Sequence, residues 1–176
     1  MSFEKNVFVN CPFDQKFIDD LLKPMLFVIV KTGLKLRLSL KTADSGQNRL
    51  DKIVSIIKDC KYSIHDLSLV KSKKIDEYSR MNIPFELGID YGFRSSGIAK
   101  FKDKKFLILE SVQYDYMKAL SDINGVDIKA HNNNTEKIID CVYSWASTTI
   151  QLYKLDPPLK MYQDFIDFNA NLFDDK

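Results

Sequence analysis

The residue best suited to chemistry is Glu86, in the stretch "NIPFELG" at residues 82–88. Phe85 and Leu87 flank it, and a carboxylate that emerges between buried apolar side chains is suited to nucleophilic or acid–base work. Pro84 fixes a backbone angle just before it. The sequence therefore predicts a stiff helix start that holds Glu86 in place.

Glu86 also has a purely structural interpretation, as a residue that stabilises a helix start. A glutamate in the first turn of a helix is worth up to about 1 kcal/mol through the dipole and the free N–H groups. A reciprocal capping box needs Ser or Thr three residues earlier, where the sequence has Ile83. If Asn82 is the cap instead, Glu86 lies beyond the position that reaches back. Capping therefore explains this acid only in part.

A second carboxylate, Asp66, closes the apolar run "YSIHDLS" at residues 62–68. At the end of a strand such an acid can bind a base or a ribose hydroxyl, or hold a partner group. The alternative is that Asp66 and Ser68 only begin a turn. His65 is a weaker candidate because strand alternation places it on the opposite face from Asp66.

Arginines are the third group of candidates, in a chain that otherwise prefers lysine. Arg37, Arg49 and Arg80 lie nearest to the predicted ends of the strands, and Asn82 follows shortly after Arg80. A guanidinium fork suits phosphate or carboxylate oxygens. Each arginine has the alternative role of a surface ion-pair partner.

Strand and helix patterns alternate along the chain, which predicts an α/β domain with a parallel sheet covered by helices on both faces. Predicted strands are 6–10, 34–40, 62–68, 104–111 and 126–131, and the fourth, the least polar, is expected at the centre of the sheet. Predicted helices cover 14–32, 50–57, about 84–93, and a segment capped by Asn134 or Thr135. The first of them is expected to kink or restart at Pro24 and to stop at Gly33. Residues 69–82 are predicted to form an exposed loop.

This organisation predicts where a ligand binds. In an open parallel sheet the binding crevice lies beyond the carboxyl ends of the strands. Asn10, Asp14, Asp44, Asp66 and Glu86 are therefore expected to converge on one rim, although they are far apart in the sequence.

Composition excludes several classes of protein. The chain has 176 residues, 45% of them hydrophobic, and a formal charge of +2 with no gathered basic face, so no duplex nucleic acid partner is expected. Cys11, Cys60 and Cys141 are odd in number and far apart, which suits a reducing cytoplasm and gives no metal spacing. No segment has the length and apolarity of a membrane span. Neither a metal nor another cofactor is predicted.

The tail after "DPP" (156–158) differs from the rest of the chain. Tyr162, Phe165, Phe168 and Leu172 recur at near-helical spacing. The pattern predicts a helix in 156–176 that packs on the main unit, 1–155, or alternatively a self-association surface.

Two short motifs carry a resemblance to known families. "IHDLS", followed by a loop and "NIPFELG", resembles the nucleoside 2-deoxyribosyltransferase-like group and the related Toll/interleukin-1 receptor (TIR) domains. The resemblance implies a flavodoxin-like sheet, with Glu86 as the residue that attacks the sugar and Asp66 as a base-recognising acid. "VFVNCPFD" and the same two motifs also resemble an uncharacterised family of bacterial proteins, and the TIR relatives imply a homo-oligomer.

The leading hypothesis is cleavage or transfer at the N-glycosidic bond of a nucleoside, nucleotide or NAD-like substrate, in bacterial defence or nucleotide salvage. Glu86 would act at C1′, Asp66, Asn10, Asp14 and Asn82 would orient the substrate, and Arg49 or Arg80 would hold phosphate. The alternative is a non-catalytic nucleotide sensor or TIR-like interaction module. A phospho-receiver and a flavin carrier are disfavoured, because the loop after the first strand, "NCPFD", has neither paired acids nor a phosphate cradle.

Overall fold

A computed structural model describes residues 3–39, 48–72 and 81–174, with side chains as far as residue 171. Five strands form one parallel sheet in the order β2-β1-β3-β4-β5. Their bounds are β1 Asn6–Asn10, β2 Lys35–Leu38, β3 Tyr62–Asp66, β4 Lys105–Glu110 and β5 Ile128–Ala130. The predicted flavodoxin-like α/β fold is confirmed.

Helices cover both faces of this sheet. They are α1 Gln15–Phe17, α2 Lys23–Lys31, α3 Arg49–Lys58, α4 Asn82–Ser95, α5 Thr135–Ser144 and α6 Pro158–Asp174. A π-helical turn at Ile18–Leu22 joins α1 to α2, and Pro24 is the second residue of α2, so the predicted restart is confirmed. Gly33 follows the end of α2 with a φ of +75°, which a glycine adopts without strain.

The core has two layers. On one face Val7, Val9 and Ile64 pack with α2, α5 and α6. On the other, Phe8 packs with α3, and Ile108 packs with α4. The last helix belongs to the first layer, because Met161 and Phe165 are buried there and the Phe165 ring lies 5.6 Å from that of Phe27.

The middle of the sheet is β3, with β4 beside it, so the prediction that the fourth strand is central was wrong. The sequence of β3 looks more polar because Ser63, His65 and Asp66 lie in it. All three are fully buried, and hydrogen bonds satisfy them inside the protein.

The helix that carries Glu86 begins at Asn82, two residues before the predicted start. Pro84 is therefore its third residue, where a missing N–H costs nothing because first-turn N–H groups have no partner within the helix. This shift matters for function, because it moves Glu86 out of the first turn.

Candidate active site

The crevice of this sheet lies at the carboxyl ends of β1 and β3. The chain leaving β1 passes to α2 on one face, and the chain leaving β3 continues to α4 on the other face. Ligands of open α/β sheets bind where the connections diverge in this way. Asn10 and Asp66 end these two strands, and Asn10 pairs in register with His65.

Glu86 enters this region from α4. It is the fifth residue of the helix, with no capping role, because acids act as caps only in the first turn. Its side chain is almost buried, with 7% exposed, and no described residue donates a hydrogen bond to its carboxyl group. A buried carboxyl without such a donor is costly to keep ionised and is therefore available for chemistry.

Burial raises the pKa of Glu86 from about 4.5 to about 7, and the positive charge of Arg49 opposes part of that rise. Arg49 is the first residue of α3 and is exposed. The carboxyl group is therefore half ionised near neutral pH, which suits a nucleophile or an acid–base group. The structure thus brings Glu86 and Arg49, two predicted site residues, within electrostatic reach of each other.

Asn10 is held at the end of β1 by two hydrogen bonds from its side-chain amide. Nδ2 donates to His65 Nδ1 at 3.1 Å and to the backbone carbonyl of Ile83 in α4 at 3.2 Å. The amide group therefore ties β1 to the helix that carries Glu86. No described residue donates to Asn10 Oδ1, so this acceptor is left for another partner.

His65 connects Asn10 to a buried acid. Its Nδ1 accepts from Asn10, so its Nε2 carries the proton and faces Asp90 Oδ2 at 3.2 Å. Asp90 is fully buried on α4, one helical turn after Glu86, and the Ser63 hydroxyl donates to the same oxygen. Burial pushes the pKa of Asp90 upward, but the hydrogen bond from His65, the charge of Lys104 and the hydrogen bond from Ser63 together hold that pKa below its usual value.

Lys104 completes this buried network. Its Nζ lies 3.0 Å from Asp90 Oδ1, as an ion-pair contact rather than an aligned hydrogen bond. The ammonium group also donates to the carbonyls of Ile57, at 3.0 Å, and Cys60, at the end of α3. A cation at a helix C-terminus is favourable, so Lys104 fixes α3 and α4 against each other behind the crevice.

Asp66 has its own partners on the other face of β3. Oδ1 accepts from the Ser68 N–H at 2.9 Å, and Oδ2 lies 3.1 Å from His131 Nε2. His131 Nδ1 accepts from the Asn133 N–H at 3.0 Å, so the proton of the ring is on Nε2, which also lies 2.9 Å from Ser68 Oγ. This is not a serine-nucleophile triad, because the acid and the hydroxyl meet the same nitrogen.

The other predicted site residues have simpler placements. Asp14 is exposed and caps α1, with Oδ1 accepting from the Phe17 N–H at 3.1 Å. Asn82 is exposed at the first position of α4. Two predicted residues lie outside the described residues: Arg80, predicted to hold phosphate, and Asp44, predicted to lie on the rim.

Asp90 and Lys104 were not predicted from the sequence as residues of the site. Asp90 was detectable in principle, because it lies four residues after Glu86 and therefore on the same face of a helix. Lys104 was not, since it precedes β4 in a polar stretch of sequence, "KDKK", that is typical of an exposed turn.

No group of three or more histidine, cysteine or acidic residues within 3–39, 48–72 and 81–174 is arranged to hold a metal ion. In the same ranges, none of the helices combines the length and apolarity that a membrane crossing requires. Neither a model of a known protein family nor a curated protein matches this chain.

Proposed function

We propose that this protein cleaves or transfers at an N-glycosidic bond, with Glu86 as the catalytic carboxylate. The observation that carries the proposal is the location of this acid: it is nearly buried, without a described hydrogen-bond donor, one turn of α4 after Ile83, whose carbonyl accepts from the Asn10 amide at the end of β1. Its pKa of about 7 supplies a large ionised fraction at neutral pH.

In the proposed reaction the ionised Glu86 carboxylate attacks C1′ of the sugar, or stabilises positive charge there, as the bond to the base nitrogen breaks. The electron pair of that bond leaves with the base: the base of a neutral nucleoside or nucleotide takes up a proton as it leaves, whereas the cationic nicotinamide of an NAD-like substrate leaves as a neutral base without one. Water, or a nitrogen of a second base, then attacks C1′ and releases Glu86. Hydrolysis and transfer differ only in this second acceptor.

The substrate class is a nucleoside, nucleotide or NAD-like dinucleotide. Asn10 Oδ1 is an unused acceptor among the described residues and is suited to a ribose hydroxyl. Arg49 is exposed on the rim beside Glu86 and is suited to a phosphate oxygen. Asp66 has no direct contact with the substrate in this proposal, because its side chain is fully buried and both its oxygens already have partners. We assign it the role of positioning His131 and the turn at Ser68, beyond the end of β3.

The test is chromatography of NAD and a panel of nucleosides and nucleotides after incubation with the protein. Wild type is expected to release a free base, and Glu86→Gln to release it at least about a hundredfold more slowly. Glu136→Gln is the matched control, because Glu136 is an exposed glutamate in the first turn of α5. Equal release by wild type and Glu86→Gln would refute the assignment.

The second candidate function is a nucleotide sensor or interaction module that binds at the same rim without turnover. It is favoured by the outer side of α6, where Phe168 is 50% exposed and Ile166 is 40% exposed, since such side chains suit a partner surface. Binding of a panel compound by wild type and Glu86→Gln alike, with base release by neither, would support this alternative.

A further inference from the structure

A separate cavity lies on the flank of α4 that faces β4 and the connection between β4 and β5. Its volume is about 250 Å³, just below the usual range for small-molecule sites. Its walls are mainly apolar, with Leu87 and Tyr91 on α4 and Phe106, Ile108 and Ile123 opposite. Glu86 is not among the residues that line it.

The cavity exists because the connection between β4 and β5 has no full helix. Two short 3₁₀ turns, Asp115–Lys118 and Ser121–Ile123, replace it and leave this side of α4 partly uncovered. Gly88 widens the cavity further, since a Cβ at that residue would have no atom within 4 Å.

One cationic group, Arg94, also lines this cavity. Its guanidinium carbon lies 4.7 Å from the centre of the Tyr91 ring and 4.6 Å from that of the Phe106 ring, so two aromatic contacts hold it in place. No described acid or carbonyl accepts a hydrogen bond from Arg94. The other charged lining residue is Asp127, whose carboxylate is 86% exposed and lies 3.3 Å from Lys129 Nζ.

We propose that this cavity binds a small carboxylic acid with an apolar body. The apolar part fills the space beside Gly88 and Leu87, and the carboxylate accepts hydrogen bonds from the immobilised Arg94 guanidinium. A planar fork with unused donors matches a carboxylate in both charge and geometry. The site is independent of the glycosidic reaction and of Glu86.

The experiment is an NMR titration of ¹⁵N-labelled protein with 3-phenylpropionate and with hexanoate. The neutral amide, 3-phenylpropionamide, is the matched probe without charge. Saturable shifts are expected at the amides of Gly88, Tyr91 and Arg94. Arg94→Gln, and the amide probe on wild type, are each expected to weaken binding at least about tenfold, since a charge-assisted hydrogen bond is lost.

Two glycine variants separate filling of the cavity from damage to the fold. Gly88→Leu puts a side chain into the cavity, and Gly92→Leu puts the same side chain on α4 outside the lining. Both replacements favour the helix by about 0.5–1 kcal/mol, so both variants are expected to fold. Gly92→Leu should bind 3-phenylpropionate like wild type, and Gly88→Leu should not bind it.

Three results would overturn the proposal. The first is no saturable shift with either acid up to about 10 mM, which is beyond the range of a weak specific site. The second is equal affinity of Gly88→Leu and Gly92→Leu. The third is a set of shifts at Gly88 and Tyr91 that follow protein concentration without any acid, which would identify a second copy of the chain as the occupant.

Discussion

Glu86 should make the stability of the protein depend on pH in a defined direction. Its pKa is about 7 in the folded protein, against 4.5 for an unperturbed glutamate, because burial disfavours the charged form. The folded state therefore holds this proton more tightly than the unfolded state. The free energy of unfolding should fall as the pH rises from 4.5 through 7. Above that range it should no longer change through Glu86, because the carboxyl group is then ionised in both states.

The magnitude follows from the same two values. A glutamate with these pKa values lowers the free energy of unfolding by about 2–3 kcal/mol between about pH 5 and about pH 8. Glu86→Gln removes the ionisation and keeps nearly the same shape. The variant should therefore gain about 2–3 kcal/mol over wild type across this range, while all other titrating groups cancel in the difference.

The assay is urea unfolding of wild type, Glu86→Gln and Glu136→Gln at a series of pH values. Glu136 is exposed, so its variant should run parallel to wild type. If the difference between Glu86→Gln and wild type does not change with pH, the carboxyl group is not held in a desolvating environment, and the argument that it is poised for chemistry fails.

Three further predictions concern the residues around the crevice and the last helix. Arg49→Gln should raise the pKa of Glu86, because it removes a positive charge that favours the carboxylate, and should move the pH-dependent fall in the free energy of unfolding to higher pH. If this fall stays at the same pH in the same urea series, the two groups do not interact. Lys104→Met should lower the free energy of unfolding by about 3–5 kcal/mol in urea unfolding, because it leaves the buried Asp90 carboxylate without its cation. A loss below about 1 kcal/mol would contradict the ion pair. Phe165→Ala should lower the free energy of unfolding by about 3–5 kcal/mol, since only 4% of Phe165 is exposed. Phe168→Ala should lower it by about 1 kcal/mol or less, because Phe168 is half exposed. Equal losses for the two variants in thermal or urea unfolding would show that α6 is not packed in this way.

The fold was predictable from the sequence because its main signals are local. Alternation and apolar runs predicted all five strands within a few residues of their observed bounds. Asn134 caps α5 as expected, accepting from the Lys137 N–H at 2.9 Å, and Gly33 ends α2. The start of α4 was placed two residues too late because Pro84 was given the first helical position, although a proline is tolerated anywhere in the first turn.

The candidate site was less predictable, because it depends on contacts between distant residues. Both neighbours of Glu86 were predicted to be buried; Leu87 is, but the prediction was wrong for Phe85, which is 58% exposed because adjacent residues of a helix point about 100° apart. The pairing of Asp66 with His131 joins residues 65 positions apart, and no local pattern reports it. The same holds for Lys104, whose charge is neutralised by Asp90 and by carbonyls at the end of α3.

The catalytic role of Glu86 is tested most directly by base release measured at two pH values, about 5.5 and about 8, on either side of the pKa of Glu86. NAD and the nucleoside and nucleotide panel are incubated with wild type and with Glu86→Gln. Wild type is expected to release base faster at the higher pH, because the carboxylate is the reactive form, and the variant is expected to release almost none at either pH. Base release that Glu86→Gln retains, or no release from any panel member by wild type at either pH, would show that Glu86 is not the catalytic carboxylate.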